Sequence, residues 1–93
     1  MAIQSFACKD SQALHDRNRA KRWGAIESVA RRKLAMLDAA VVLRDLATPP
    51  GNHLEALRGD RAGQHSIRIN QQYRICSVWT DEGPASVEIV DYH

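Results

Sequence analysis

Nine polar residues beyond the midpoint of the chain are of types that hold anions or move protons: Glu55, Arg58, Arg61, His65, Arg68, Arg74, Asp91, Tyr92 and His93. Arg74 is the most informative of them. It stands between Tyr73 and Ile75 in a run of core-forming residues, where a guanidinium is costly unless something compensates its charge. Two compensations are open: an ion pair with Asp91 or Glu88 on a neighbouring strand, or an anionic ligand. His93, the last residue of the sequence, sits beside a carboxylate whose charge favours the imidazolium, so it is expected as a proton donor near neutrality. None of His15, His53, His65 and His93 stands four residues from another histidine or beside a cysteine, so no metal site is expected. The glycine and serine patterns of a nucleophile elbow, a P-loop or a dinucleotide fold are missing.

These groups need elements to position them, and the hydrophobic periods supply candidates. Ile3 to Cys8 reads as a short strand, and Asp10 or Ser11 as the cap of a brief helix running to about Arg17 and anchored by Leu14. Ile26, Ala30, Leu34, Leu37 and Val41 recur at helical spacing and form one apolar stripe, widened by Val29, Met36 and Ala40. Thr48-Pro49-Pro50-Gly51 is expected to end that helix. Beyond it the period becomes two, with strands expected at His53–Leu57, Gln64–Ile69, Tyr73–Thr80 and Ala85–Tyr92. Short connections make them an antiparallel meander, whose apolar face the helical stripe would cover in a two-layer α+β domain.

The chain has 93 residues, enough for one domain spanning 1–93. Its 44% hydrophobic and 26% charged content excludes disorder and fibrous repeats. The longest apolar run, Ala39–Leu43, is far short of the roughly 20 residues of a membrane span. The first residues lack a basic start and an apolar stretch, so a cytoplasmic location is expected. Cys8 and Cys76 are too few and too far apart for a disulfide framework and are expected as reduced thiols. The net charge of +2 conceals an asymmetry: residues 1–50 carry nine Lys/Arg against five Asp/Glu, and residues 51–93 four against six. The basic excess lies in Arg17, Arg19, Lys21 and Arg22 and in Arg31, Arg32 and Lys33. Such clusters serve a polyphosphate, an acidic protein partner, or simply a solvated helix face.

Three stretches together resemble a known family. Arg58-Gly59-Asp60-Arg61-Ala62-Gly63-Gln64-His65-Ser66-Ile67, then Tyr73-Arg74-Ile75, then Val87-Glu88-Ile89-Val90-Asp91-Tyr92-His93 are similar to the HigB toxins of the RelE/ParE superfamily. Ile3-Gln4-Ser5-Phe6, the helix around Lys33–Ala40 and Pro49-Pro50-Gly51-Asn52 extend the likeness over nearly the whole chain. The resemblance implies a curved antiparallel β-sheet packed against two N-terminal α-helices. It further implies the toxin of a type II toxin–antitoxin pair, a ribosome-dependent and metal-independent mRNA endoribonuclease that blocks translation, needing no cofactor.

In such enzymes the ribose 2′-hydroxyl attacks the adjacent phosphorus, which requires a base, a cation for the phosphorane and an acid for the leaving oxygen. By the resemblance, Arg74 is the sheet arginine that neutralises the phosphate, and Arg58 supports phosphate binding from the turn. Arg61, His65 and Arg68 join it as RNA-binding candidates. His93 is assigned to proton transfer, Tyr92 to orienting the nucleotide and Asp91 to setting the imidazole or the 2′-hydroxyl. Where some members have a histidine in a Leu-His-Pro-Leu stretch, this chain has Leu54-Glu55-Ala56-Leu57, which leaves Glu55 as the candidate general base and a slower reaction as its consequence. His53 is expected to face away from that position, with His65 on the next strand the better substitute.

The aromatic residues Phe6, Trp23, Tyr73, Trp79 and Tyr92 are too few, and expected to be too buried, to make a stacking platform for free RNA. Binding is therefore expected to come from charge, with Arg17–Arg22 and Arg31–Lys33 docking on the ribosome. The partner implied is a HigA-like helix-turn-helix antitoxin, with mRNA and ribosome as targets and no membrane. Two rival readings are a ParE-like inhibitor of DNA gyrase without nuclease activity and a basic RNA- or protein-docking module.

Overall fold

A computed structural model describes residues 3–16, 24, 26–48 and 50–91. Two helices, α1 (Lys9–His15) and α2 (Glu27–Ala39), precede four strands, β1 (Glu55–Ala56), β2 (Gln64–Arg68), β3 (Tyr73–Thr80) and β4 (Gly83–Asp91). The strands form one antiparallel sheet in the order β1-β2-β3-β4. This is the expected meander with helices on one face, an α+β fold of the RelE-like kind. Arg17, Arg19, Lys21, Arg22, Trp23, Tyr92 and His93 lie outside the described residues.

The helical layer meets the sheet through Leu14 of α1, Ala30, Leu34 and Leu37 of α2, and Ile67, Ile75, Val87 and Ile89 of the strands, all buried. Each fully buried leucine or isoleucine contributes about 1.5–3 kcal/mol of transfer free energy. Phe6, Tyr73 and Trp79 are half-buried against this core, as expected of scarce aromatics.

Several element boundaries differ from the sequence reading. First, Ile3–Cys8 is no strand. It touches β4 through one parallel bridge, Phe6 to Val87, with Gln4 N–H donating to Pro84 O (2.7 Å) and Val87 N–H to Ser5 O (3.0 Å). A bulge explains the short contact: β4 shifts register between Cys76 and Val78 of its partner, and Ser86 has φ 53°. Second, α1 begins at Lys9, so Ser11 lies inside it rather than capping it; its buried Oγ instead accepts from Ile89 N–H at 3.0 Å, pinning the helix to β4.

Third, α2 stops at Ala39, well before the prolines. The Asp45 carboxylate accepts from Val41 N–H (2.9 Å) and Val42 N–H (3.2 Å), drawing the chain out of the helix and into a 3₁₀ turn at Leu43–Leu46. Val41 is consequently 65% exposed instead of completing the apolar stripe. Fourth, the first edge strand shrinks to Glu55–Ala56, while β4 starts two residues early at Gly83, whose φ of 129° closes a two-residue turn.

Between helix and sheet sits a polar hub. Asn52 is fully buried; its Nδ2 donates to Leu46 O at 3.0 Å and approaches the Met36 sulfur at 3.1 Å, and its Oδ1 accepts from Lys33 Nζ. Lys33, partly desolvated there and next to Arg32, has its pKa pushed down.

Leu34→Ala is expected to cost about 2–5 kcal/mol, the range for truncating a buried leucine, whereas Val41→Ala should stay within about 0.5 kcal/mol. Urea denaturation measures both, and equal losses would put Val41 back in the core. The two backbone hydrogen bonds to Asp45 hold its carboxyl below the ordinary carboxylate range. A depressed carboxylate stabilises the fold above its unfolded pKa and loses that contribution as pH falls through the folded one. The stability gap between the parent and Asp45→Ala should therefore be full above about pH 4 and close on further acidification. A gap independent of pH would contradict the role given to Asp45.

Candidate functional site

Strand alternation decides which polar groups can meet. Arg74 of β3 is the cross-strand partner of Arg68 on β2 and of Val90 on β4. Ile75 pairs with Ile67 and Ile89 on the other face, which packs against the helices. Arg68 and Arg74 thus sit directly opposite one another on the face away from the helices. Like charges in that relation are unfavourable, so the pair needs fixed acceptors or an anion.

The structure shows the acceptors. Arg74 Nε donates to Ser66 Oγ at 2.8 Å, and Nη2 donates to the carbonyl of His53 at 2.7 Å. Nη2 also lies 3.8 Å from Glu55 Oε1, with the Arg74 side chain 15% exposed and that of Glu55 56% exposed. Arg68 Nε donates to Asn70 O at 3.1 Å, while Asn70 Oδ1 accepts from Gln72 N–H and Tyr73 N–H, both at 2.8 Å, and fixes the β2–β3 turn. His53, Arg68, Asn70, Gln71 and Arg74 line an open polar cleft of about 190 Å³. Two guanidinium groups at one recess make it a candidate anion site, since Arg forks suit paired phosphate oxygens.

Several expected residues are placed elsewhere. His65 turns to the helix face, lining a small recess with Leu37, Leu46 and Leu54, and its buried Nδ1 makes no hydrogen bond. It is remote from the cleft in direction, because it alternates with Ser66. His53 shows the reverse: expected to face away, it lines the cleft. It lies two residues from Glu55, and a left-handed backbone (φ 46°) lets its carbonyl reach Arg74. A spacing of two along an extended segment already sets both on one side, so the expectation that His53 faces away does not follow from parity.

Arg61 serves the fold, bonding Gln64 Oε1 at 3.0 Å and pairing with Glu88 at 3.4 Å. Glu88 pairs with Arg61, and Glu55 is a carboxylate beside Arg74 where Asp91 or Glu88 was expected. Asp91 is the register partner of Tyr73, so alternation sets it on the face opposite Arg74; its Oδ2 accepts from Gln72 Nε2 at 3.2 Å. Arg58 is exposed at the mouth of the Gly59–Arg61 turn.

The basic cluster of α2 also divides. Arg31 and Arg32 border a cleft of about 390 Å³ with His15, Ala35 and Asp38. Lys33 turns instead to Asn52 and is a structural cation, not part of a common docking face. Successive helical residues are about 100° apart, so three in a row cannot share one face.

Cys76 is fully buried in β3, near Arg61, Glu88 and Arg74, and burial pushes its thiol pKa up. Among the described residues no group of three or more His, Cys, Asp or Glu is arranged to hold a metal ion, and no helix is long and apolar enough to cross a membrane.

An α+β meander that backs a cationic cleft with two helices is the architecture of a RelE-like toxin, and comparison with known proteins agrees. The family model described as the RelE-like toxin of the type II toxin–antitoxin system HigB matches residues 8–93. Toxin HigB-1 of Vibrio cholerae serotype O1 is 46% identical over 69 residues, covering 74% of this chain and 72% of that protein. An uncharacterized protein of Haemophilus influenzae is 47% identical over 45 residues, or 48% of this chain and 45% of its own. The chain belongs to the HigB-like family of type II toxins, and membership implies a cognate antitoxin.

Both cysteines are free thiols, Cys8 half-buried and Cys76 buried. A thiol-reactive dye at pH 8 is expected to label Cys8 in the native protein and Cys76 only after unfolding, since the thiolate is the reactive form and burial suppresses it. Equal native labelling of both would contradict the sealed position of Cys76.

Proposed function

We propose that this toxin is a ribosome-dependent mRNA endoribonuclease that blocks translation and so arrests growth. It acts in the cytoplasm without a metal and is neutralised by a helix-turn-helix antitoxin of the HigA kind. The observation that carries the reading is the cleft in which the opposed Arg68 and Arg74 meet His53. A sheet that sets two arginines against each other gains from a ligand with divided negative charge, and a phosphodiester has that charge.

In the proposed reaction the ribose O2′ forms a bond to phosphorus and the bond from phosphorus to O5′ breaks, leaving a cyclic phosphate and a 5′-hydroxyl. Arg74 and Arg68 take the non-bridging oxygens as the phosphorane gains charge. This is the contribution expected of fixed donors, and it requires no reorganisation during the reaction. Ser66 and the His53 carbonyl keep the Arg74 fork in place. His53, which lines the cleft, is taken as the base that removes the 2′ proton in place of Glu55, and His93 returns one to O5′. Tyr92 orients the nucleotide, Asp91 sets the imidazole of His93, and Arg58 steadies a flanking phosphate. Arg31 and Arg32, with Arg17, Arg19, Lys21 and Arg22, are the charges offered to ribosomal RNA.

The test is to give the protein mRNA, naked and on translating ribosomes, and to map new ends. Codon-linked cuts on ribosomes alone are expected; intact mRNA with inhibited DNA gyrase would replace this reading with the ParE-like one. Arg74→Lys keeps the charge but loses the fork and should slow cleavage about 10²-fold, the scale of a lost oxyanion donor. His93→Ala should lose a similar factor of about 10² or more, the scale of a positioned acid. Parental rates in both variants would remove these residues from the chemistry.

A further inference from the structure

Glu55 lies beside the cation that would receive the phosphate. We infer that Glu55 is the counter-ion of the cleft's Arg74, displaced by the incoming phosphate, and not the group that takes the ribose proton. The inference rests on the reading of the cleft as a phosphate site.

Three features support it. The contact from Glu55 Oε1 to Arg74 Nη2 is a loose 3.8 Å, against 2.8 and 2.7 Å for the hydrogen bonds that fix the same guanidinium to Ser66 and His53. The carboxylate therefore pairs with Arg74 without positioning it. The two side chains also differ in depth: Arg74 is nearly covered and Glu55 more than half exposed, so the acid stands at the rim above a fixed cation. Finally, Glu55 belongs to a strand of only two residues, Glu55–Ala56, at the sheet's edge. Its side chain can swing into solvent without disturbing the buried neighbour Leu57, whose N–H is held by Gln64 O at 2.9 Å.

With the site empty, Glu55 offsets part of the repulsion between Arg68 and Arg74. With a phosphodiester bound there, the same carboxylate opposes the ligand's charge, and moving outward relieves the conflict. Proton uptake by Glu55 would instead remove its attraction to Arg74. The charged group facing it across this rim is Arg74, which Glu55 reaches from the edge strand; Arg68 lies beyond, in the cleft that Arg74 and His53 also line.

The two roles give opposite results in one variant. Glu55→Gln removes the charge but keeps the shape. A counter-ion predicts that inorganic pyrophosphate, titrated at low salt by calorimetry, binds about fivefold tighter, the scale of one partly exposed ion pair. Glu55→Ala should tighten it likewise, and Arg68→Ala should weaken it, marking the cleft as the site. It also predicts single-turnover cleavage of ribosome-bound mRNA at or above the parental rate at saturation. Unchanged or weaker pyrophosphate binding in both Glu55 variants would overturn the counter-ion. Tighter binding with a cleavage rate lowered about 10²-fold would identify Glu55 as the base and overturn the inference as stated. If the parent cuts no mRNA, the nuclease reading fails by itself, and the pyrophosphate titration still decides whether Glu55 competes for the anion.

Discussion

The arrangement depends on a guanidinium held in a strand whose alternate residues are core. Arg74 and Ile75 are adjacent, yet one faces a polar cleft and the other the helices. This division holds only while the β2–β3 register is fixed, because a slip of one residue would drive Arg74 into the core and Ile75 into water. Register is secured twice, by the buried pair Ile67–Ile75 and by the Asn70 side chain that closes the turn. The apolar layer thus determines where the charge sits, and the charge in turn requires the acceptors found around it.

Those acceptors connect the site to the helical layer. His53 follows Asn52, which is buried and tied to Leu46 and Lys33. Anchoring residue 52 fixes where residue 53 begins, and the left-handed turn there points its carbonyl at Arg74. Backbone conformations of this kind cost of order 1–3 kcal/mol and persist where surrounding structure imposes them. The hub supplies that imposition. Lys33 therefore bears on the anion cleft through two covalently adjacent residues, although it is a helical cation on the other side of the sheet.

The meander was legible because alternation is a strong local signal, and Tyr73–Thr80 has the boundaries expected of it. Arg74 was legible for the same reason, as the one charge in a run of core formers. What failed depended on side chains reaching across turns or between elements. The end of α2 is set by Asp45 accepting two amides, a contact four residues long that competes with helix continuation and leaves no trace in the apolar stripe. The N-terminal segment reads as a strand but meets β4 at a bulge, so its partner lacks a regular edge. His53 was expected to face away from Glu55, yet the two are two residues apart and parity correctly counted puts them on one side, while His65 alternates with Ser66 and turns to the helices.

The placement of the two histidines changes how the departure at Glu55 is understood. Viewed along the chain, an acid standing where an imidazole occurs in similar toxins looks like a weaker base in the same position. Viewed in three dimensions, a histidine still lines the cleft, two residues earlier, while the acid faces the arginine. A carboxylate at that rim lowers the local positive potential when no ligand is present and raises the cost of binding any anion, so it discriminates against weakly held phosphates as much as it stabilises the empty site. An RNA presented and oriented by a larger assembly has binding energy from elsewhere to offset that cost, and a small free anion does not. If the cleft takes a phosphate, as proposed, a carboxylate at its rim is therefore as much a means of keeping out ligands that arrive alone as a weaker base.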